Sequence, residues 1–208
     1  MKLSCCAGLA SFVPPTVDAK QLDTTSIYRS KLEKAPAAER TSEIGGEVIV
    51  FGSGGARGIP EGFSHHKAHD QILEFLNIAA QHARQHKVTI AIEPLNRMET
   101  NIINSVEEAA QYADEVALPE IKVLVDFYHL MVEKEPFDHI VATGNRIAHV
   151  HVADTDRLYP GSGQYDYRGF AQSLASAGYK GRISVECNFR DFDKEVPQSI
   201  HFLRKIFP

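Results

Sequence analysis

From Glu47 onward the chain alternates short, almost wholly apolar runs with amphipathic stretches. The runs at 48–51, 88–92, 123–125, 147–152 and 183–185 are rich in β-branched residues and lack a clean polar alternation. That pattern predicts strands buried on both faces, as in a parallel sheet covered by helices. Between them, Ala68, Ile72, Phe75, Ala79 and Ala83 recur at helical spacing behind Ser64, predicting an amphipathic helix over 64–86 with Ser64 as its N-cap. Ser105 and Glu108 have the spacing of a capping box and open a second helix. Pro136 and Phe137 open a third, short one, 170–177 makes a fourth, and a stretch ending at 200–206 makes the last. Each predicted helix follows a strand, which marks a sheet built from βα units.

The N-terminus breaks the pattern. Only 46 residues precede Glu47, too few for the three βα units that would complete an eightfold barrel of the usual length of about 250 residues. Residues 2–8 read as one strand and 11–13, before Pro14 and Pro15, as the end of another. Residues 26–44 read as a helix broken or kinked near Pro36. The prediction is an α/β fold, a (β/α) TIM-type barrel that is incomplete, with six or seven strands instead of eight, in one domain over 1–208.

Composition narrows the function. With 43% apolar and 24% charged residues the chain is an ordinary globular one with a sizeable core. A net charge of -5 leaves no broad basic surface for a phosphate backbone, so no nucleic acid partner is expected. Cys5, Cys6 and Cys187 are too few for a disulfide framework, which points to a reducing cytoplasm. The apolar stretch before Cys5 is too short for the core of a signal peptide, and no later run is long enough to cross a bilayer. A soluble, cytoplasmic protein with no membrane partner is the expectation.

The candidate chemistry lies at strand ends. Glu93, Asp126 and Glu186 each follow the last apolar residue of a predicted strand, and His151 lies inside 150–152. In a (β/α) barrel these positions converge on one mouth, where active sites are built. Three carboxylates and one imidazole form an oxygen-rich N/O set suited to manganese, magnesium, cobalt or zinc. Taken singly, each residue has a structural reading: a solvated loop glutamate, or a hydrogen-bonded core histidine. Taken together, unpaired carboxylates at one mouth would repel, and a divalent cation is the economical way to keep them ionised. The glycine-rich segment 52–58 matches neither a P-loop nor a dinucleotide fingerprint. It reads as a tight barrel loop that lets a substrate approach, with Arg57 reaching the mouth.

The ordered series Glu93-Pro94-Leu95-Asn96-Arg97-Met98-Glu99, Asp126-Phe127-Tyr128-His129, His149-Val150-His151-Val152-Ala153-Asp154-Thr155-Asp156-Arg157 and then Glu186 resembles the motifs of the xylose-isomerase-like sugar isomerase/epimerase family. Ketose 3-epimerases and hydroxypyruvate isomerase are among its members, and the resemblance runs over about 45–208. It implies that Glu93, Asp126, His151 and Glu186 bind one divalent metal, manganese first, with magnesium, cobalt or zinc as alternatives. It also implies that Glu99, His129 and Arg157 contact a small-molecule sugar. Glu93 and Glu186 would be the acid/base pair of an isomerase or epimerase that passes through an enediolate. His149 is expected to point to the face opposite His151 and to serve structure or to support the metal ligands from behind. The loop 160–165 is expected to wall the pocket.

Other readings keep the fold and change the role. A same-fold lyase would dehydrate a keto-inositol or cleave a C-glycoside. An endonuclease IV type of DNA-repair enzyme would need a site richer in histidines. A shortened relative would bind without catalysis, or close its gap through a partner subunit as a homo-oligomer.

Overall fold

The computed structural model describes residues 37–207. Its five strands, β1 (Val48–Phe51), β2 (Thr89–Ile92), β3 (Ile121–Asp126), β4 (Ile147–Val152) and β5 (Ile183–Val185), are all parallel and lie in the order β1-β2-β3-β4-β5. Each therefore pairs with its sequence neighbour, and the sheet curls into a half-barrel. The predicted strands at 2–8 and 11–13, on which a total of six or seven depends, lie outside the described residues, as does the start of the helix predicted over 26–44. The described end of that helix is α1 (Ala37–Glu43).

Seven helices follow. They are α2 (Gly54–Arg57), α3 (His65–His86), α4 (Val106–Val116), α5 (Phe127–Glu133), α6 (Asp138–Thr143), α7 (Tyr167–Ser176) and α8 (Phe192–Ile206). Helix α3 has the predicted bounds, with Ser64 Oγ accepting from Lys67 N. Its buried face is Ala68, Ile72, Leu76, Ala79, Ala80 and Ala83. Phe75 sits at the margin of that face and stacks on Phe51 at 5.1 Å.

Two local details differ from expectation. At α4, Ser105 Oγ accepts from Glu108 N as a capping residue should, but the Glu108 carboxylate accepts from Ile103 N and Asn104 N instead of Ser105 N. Helix α5 was not predicted at all. Asp126 ends β3 and in the same position caps α5, its Oδ1 accepting from His129 N at 3.1 Å.

The sheet separates two environments. Ile49, Ile90, Ile92, Val123, Val125, Val150 and Val152 belong to the apolar layer beneath the helices. That layer also holds a ring cluster in which Phe127 stacks on Phe170 at 4.2 Å and meets Tyr167 edge-on at 4.7 Å. Alternate strand residues, Ala91, Leu124 and His151 among them, face the barrel interior. Between β3 and β4 the register jumps from Val123↔Ile147 to Leu124↔His149, leaving Ala148 as an extra residue. This bulge brings Asp126 directly opposite His151. An open cavity of 380 Å³ lies at the other end of the sheet, where the strands begin, lined by Val48, Thr89, Lys122, Ala148 and Tyr179. Among the described residues no helix is long and apolar enough to cross a membrane.

Candidate metal centre

The four strand-end residues meet. One ligand atom from each of Glu93, Asp126, His151 and Glu186 lies within 4.8 Å of every other. Glu93, Asp126 and His151 are buried, and Glu186 is half-exposed although its Oε2 is shielded. Around His151 Nδ1, Glu93 Oε1 lies at 2.9 Å, Glu186 Oε2 at 3.0 Å and Asp126 Oδ2 at 3.8 Å. Nδ1 can hold at most one hydrogen and hydrogen-bonds to Glu93. Glu186 Oε2 is close to Nδ1 without a well-directed hydrogen bond.

The donor set fits a divalent cation. Ligand bonds of about 2.1 Å place neighbouring ligand atoms roughly 3.0 Å apart in an octahedron and roughly 3.4 Å apart in a tetrahedron. The separations to His151 Nδ1 bracket those values. A mixed set of three carboxylates and an imidazole also matches the hard or borderline metals rather than a thiolate-seeking one.

The electrostatics express the same crowding. Burial, and then the Glu93 charge, push the Asp126 carboxyl up to about 7, while His151 pulls the other way. Glu186 is held down to about 2 by His151 first, then by Arg157, against the effect of burial. Two acids of one cluster thus prefer opposite protonation states. This is the expected consequence of confining several like charges with one imidazole.

Elements of three neighbouring loops hold the cluster in place. Asp126 is oriented by its capping duty, which commits Oδ1 to the helix and leaves Oδ2 toward His151. Arg57, expected at the mouth, is instead buried behind it. Its Nη1 donates to Phe51 O at 2.9 Å and its Nη2 to Glu93 O at 2.6 Å, tying the ends of β1 and β2 together. Segment 52–58 is a single helical turn, and at Gly52 a Cβ would collide with Glu93 Oε2. Asp154 organises the loop 160–165 by accepting from Gly161 N at 2.9 Å and Tyr165 N at 3.3 Å.

His149 corrects the sequence reading. Residues two apart on a strand share a face, so His149 and His151 point the same way. Their ring centroids are 5.2 Å apart, and His149 Nε2 meets Ser184 Oγ at 2.8 Å. Burial, then His151 and Arg182, lower the His149 pKa to about 4.

The three residues assigned to substrate lie on the rim of the cluster. Arg157 Nη1 donates to Glu99 Oε1 at 3.2 Å, and its Nη2 lies 3.5 Å from Glu186 Oε2. Asp156 and Arg157 both have left-handed backbone, with φ of 60° and 57°. Non-glycine residues adopt that conformation only where the surroundings enforce it, as they often do near functional sites. His129 is buried and meets Asn96, a fully buried residue that the motif contained but the sequence reading left without a role.

Fold and site together define a (β/α)-barrel protein with an acidic, metal-type cluster at the C-terminal rim of its sheet. The chain belongs to the xylose isomerase-like TIM barrel family, whose model matches residues 28–206. Among curated relatives it is 29% identical over 123 residues to 3-dehydro-D-guloside 4-epimerase of Escherichia coli, covering 59% of this chain and 47% of that protein. It is 32% identical over 105 residues to D-psicose 3-epimerase of Enterocloster bolteae, covering 50% of this chain and 35% of the relative. The chain thus spans about half or less of these relatives' lengths. Among solved structures, D-allulose 3-epimerase from Methylomonas sp. in complex with D-allulose superposes with a TM-score of 0.79 at 22% identity, covering 91% of this chain and 72% of that one. The apo form of 3-keto-D-glucoside 4-epimerase from E. coli gives 0.74 at 25% identity, covering 86% and 69%.

Proposed function

We propose that this chain is a metal-dependent isomerase or epimerase of a sugar or sugar derivative, working by proton transfer at the carbon beside a carbonyl. The observation that carries the proposal is the convergence of Glu93 and Glu186 on His151 Nδ1, at 2.9 and 3.0 Å. Two carboxylates from strands β2 and β5 thereby border one small space from different sides. The names of the relatives, sugar 3- and 4-epimerases, support the same reading.

Glu93, Asp126, His151 and Glu186 would hold a divalent cation, manganese first with magnesium, cobalt or zinc as alternatives, and when bound it would supply Lewis-acid polarisation of the substrate's carbonyl and hydroxyl oxygens. The remaining work belongs to side chains. One glutamate removes the C–H proton next to the carbonyl, the resulting enediolate is stabilised by positive charge and hydrogen bonds, and the other glutamate returns a proton. Delivery from the opposite face inverts the carbon, whereas return to the adjacent carbon moves the carbonyl. Arg157 faces both Glu99 and Glu186, so it holds the outer carboxylate ionised and presents its remaining N–H groups to substrate oxygens. His129 and Glu99 supply further contacts to hydroxyl groups.

The reading treats 1–208 as one barrel-type domain acting on a small, soluble sugar. No specific feature favours the keto-inositol or C-glycoside lyase alternatives, and a cluster with a single histidine does not favour the multi-metal DNA-repair type. The test is solvent-deuterium exchange into a panel of ketoses in the presence of Mn2+. Exchange in the wild-type protein that disappears in Glu186→Gln, with substrate binding retained, is the expected result. Full exchange in that variant would remove Glu186 from the chemistry, and stoichiometric metal with no exchange on any ketose would favour a binding-only protein.

A further inference from the structure

Asn96 spends every polar atom of its side chain inside the protein. Oδ1 accepts the Met98 N–H at 3.0 Å, which fixes the orientation of the amide. The two Nδ2 hydrogens are therefore directed to Glu99 Oε1 at 3.1 Å and His129 Nδ1 at 2.9 Å. The backbone N–H of Asn96 also points at His129 Nδ1, at 3.2 Å. A backbone N–H can only donate, so Nδ1 must offer a lone pair, and a neutral imidazole must then carry its hydrogen on Nε2. That Nε2 is shielded from solvent and has no hydrogen-bond partner among the described residues. Buried donors are rarely left without a partner, so an atom of this kind calls for an oxygen that the described residues do not provide.

We infer that Asn96 is a positioning residue: its backbone N–H sets His129 in the Nε2–H tautomer, and its side-chain amide holds that ring and anchors Glu99, so that the pair meets the hydroxyl or carbonyl oxygens of a bound polyol in one fixed arrangement. The identity of the ligand rests on the proposed function; the tautomer does not. Asn96 also completes a chain of contacts from His129 through Glu99 and Arg157 to Glu186, which couples the polyol contacts to the acidic cluster. The arrangement depends on an amide. An aspartate at 96 has the same shape but would bring a carboxylate against Glu99 and remove the side-chain donor facing His129, leaving only the backbone N–H there.

The experiment is a long-range 1H–15N correlation spectrum of the 15N-labelled protein, which distinguishes protonated from unprotonated ring nitrogens without any substrate. In the wild type, His129 should show hydrogen on Nε2 and a bare Nδ1. Asn96→Asp keeps the backbone donor, so it should leave the hydrogen on Nε2 while it raises KM for the ketose that exchanges at least tenfold, lowers kcat by a smaller factor, and changes Mn2+ affinity less than threefold. Should Asn96→Asp fail to fold, Asn96→Ala serves: it keeps the backbone donor and should retain the Nε2–H tautomer while still raising KM. Hydrogen on Nδ1 of the wild-type His129, or a KM unmoved in these variants, would overturn the inference. A wild-type protein that exchanges no ketose yet shows the Nε2–H tautomer would count against the epimerase reading and leave the assignment of Asn96 standing.

Discussion

The side chain of Glu93 occupies the space that a Cβ at Gly52 would need, so the end of β1 must lack a side chain for the β2 carboxylate to reach His151. The two positions are neighbours because Glu93 N donates to Phe51 O, continuing the parallel ladder one step past the paired residues. Glycine here answers to close approach, not to a left-handed backbone.

Gly52→Ala should therefore displace the Glu93 carboxylate while leaving the fold intact. Mn2+ affinity measured by calorimetry is expected to fall at least tenfold, with the thermal midpoint of the metal-free protein changed by only a few degrees. Unaltered affinity would show that Glu93 does not need its present position.

The raised pKa of Asp126 sets a pH dependence. Its folded value, about 7, lies above the ordinary carboxyl range, so between roughly pH 4 and 7 the metal-free folded state holds a proton that the unfolded chain has lost. Asp126 thus lowers the stability of the metal-free protein as pH rises through that window. Metal binding must expel the proton, so Mn2+ affinity should increase by up to tenfold per pH unit below about 7 and level off above it. Calorimetry in buffers of different ionisation enthalpy would register the released proton, and an affinity flat from pH 5 to 8 would contradict the assignment.

His149 works in the opposite direction. Its folded pKa of about 4 lies below the unfolded value of about 6.5, so its neutral form is stabilising in full above pH 6.5 and that contribution is lost as pH falls toward 4. His149→Gln should flatten the acid limb of stability. With the ring buried, the difference between pH 7 and pH 4.5 is expected to shrink by about 2 kcal/mol in urea titrations of the variant against wild type.

Arg57 is buried and spans the ends of two strands, donating to Phe51 O and Glu93 O. Arg57→Met keeps much of the apolar volume and removes both donors. It should destabilise the protein by about 2–3 kcal/mol, because two shielded carbonyls lose charge-assisted bonds. Mn2+ affinity should drop alongside, through the loosened Glu93 backbone. Denaturant midpoints and calorimetry on the same preparation separate the two effects.

Much of this protein is written in local pattern. The β-branched runs at 48–51, 147–152 and 183–185 coincide with β1, β4 and β5, because continuous apolar character over so few residues suits a strand covered on both faces. The 64–86 helix with its Ser64 cap was equally legible, since cap and apolar stripe are local properties. Membership of the barrel family and the convergence of Glu93, Asp126, His151 and Glu186 were also accessible, because ordered strand-end residues meet at one rim whenever the strands run parallel in sequence order.

What only the tertiary structure decided are relationships between separate segments. The extra residue at Ala148 sets Asp126 opposite His151, and no one-strand pattern announces a shift in pairing between two strands. Asp126 doubles as the cap of α5, whose seven residues are too few to show a period. Arg57 turned inward, where it donates to two carbonyls at strand ends, and Asn96 gained its contacts only through the nearness of Glu99 and of His129, 33 residues away. Periodicity reports which face of an element is apolar. Hydrogen bonding of buried polar atoms is settled by which distant partners the packed chain brings within about 3 Å.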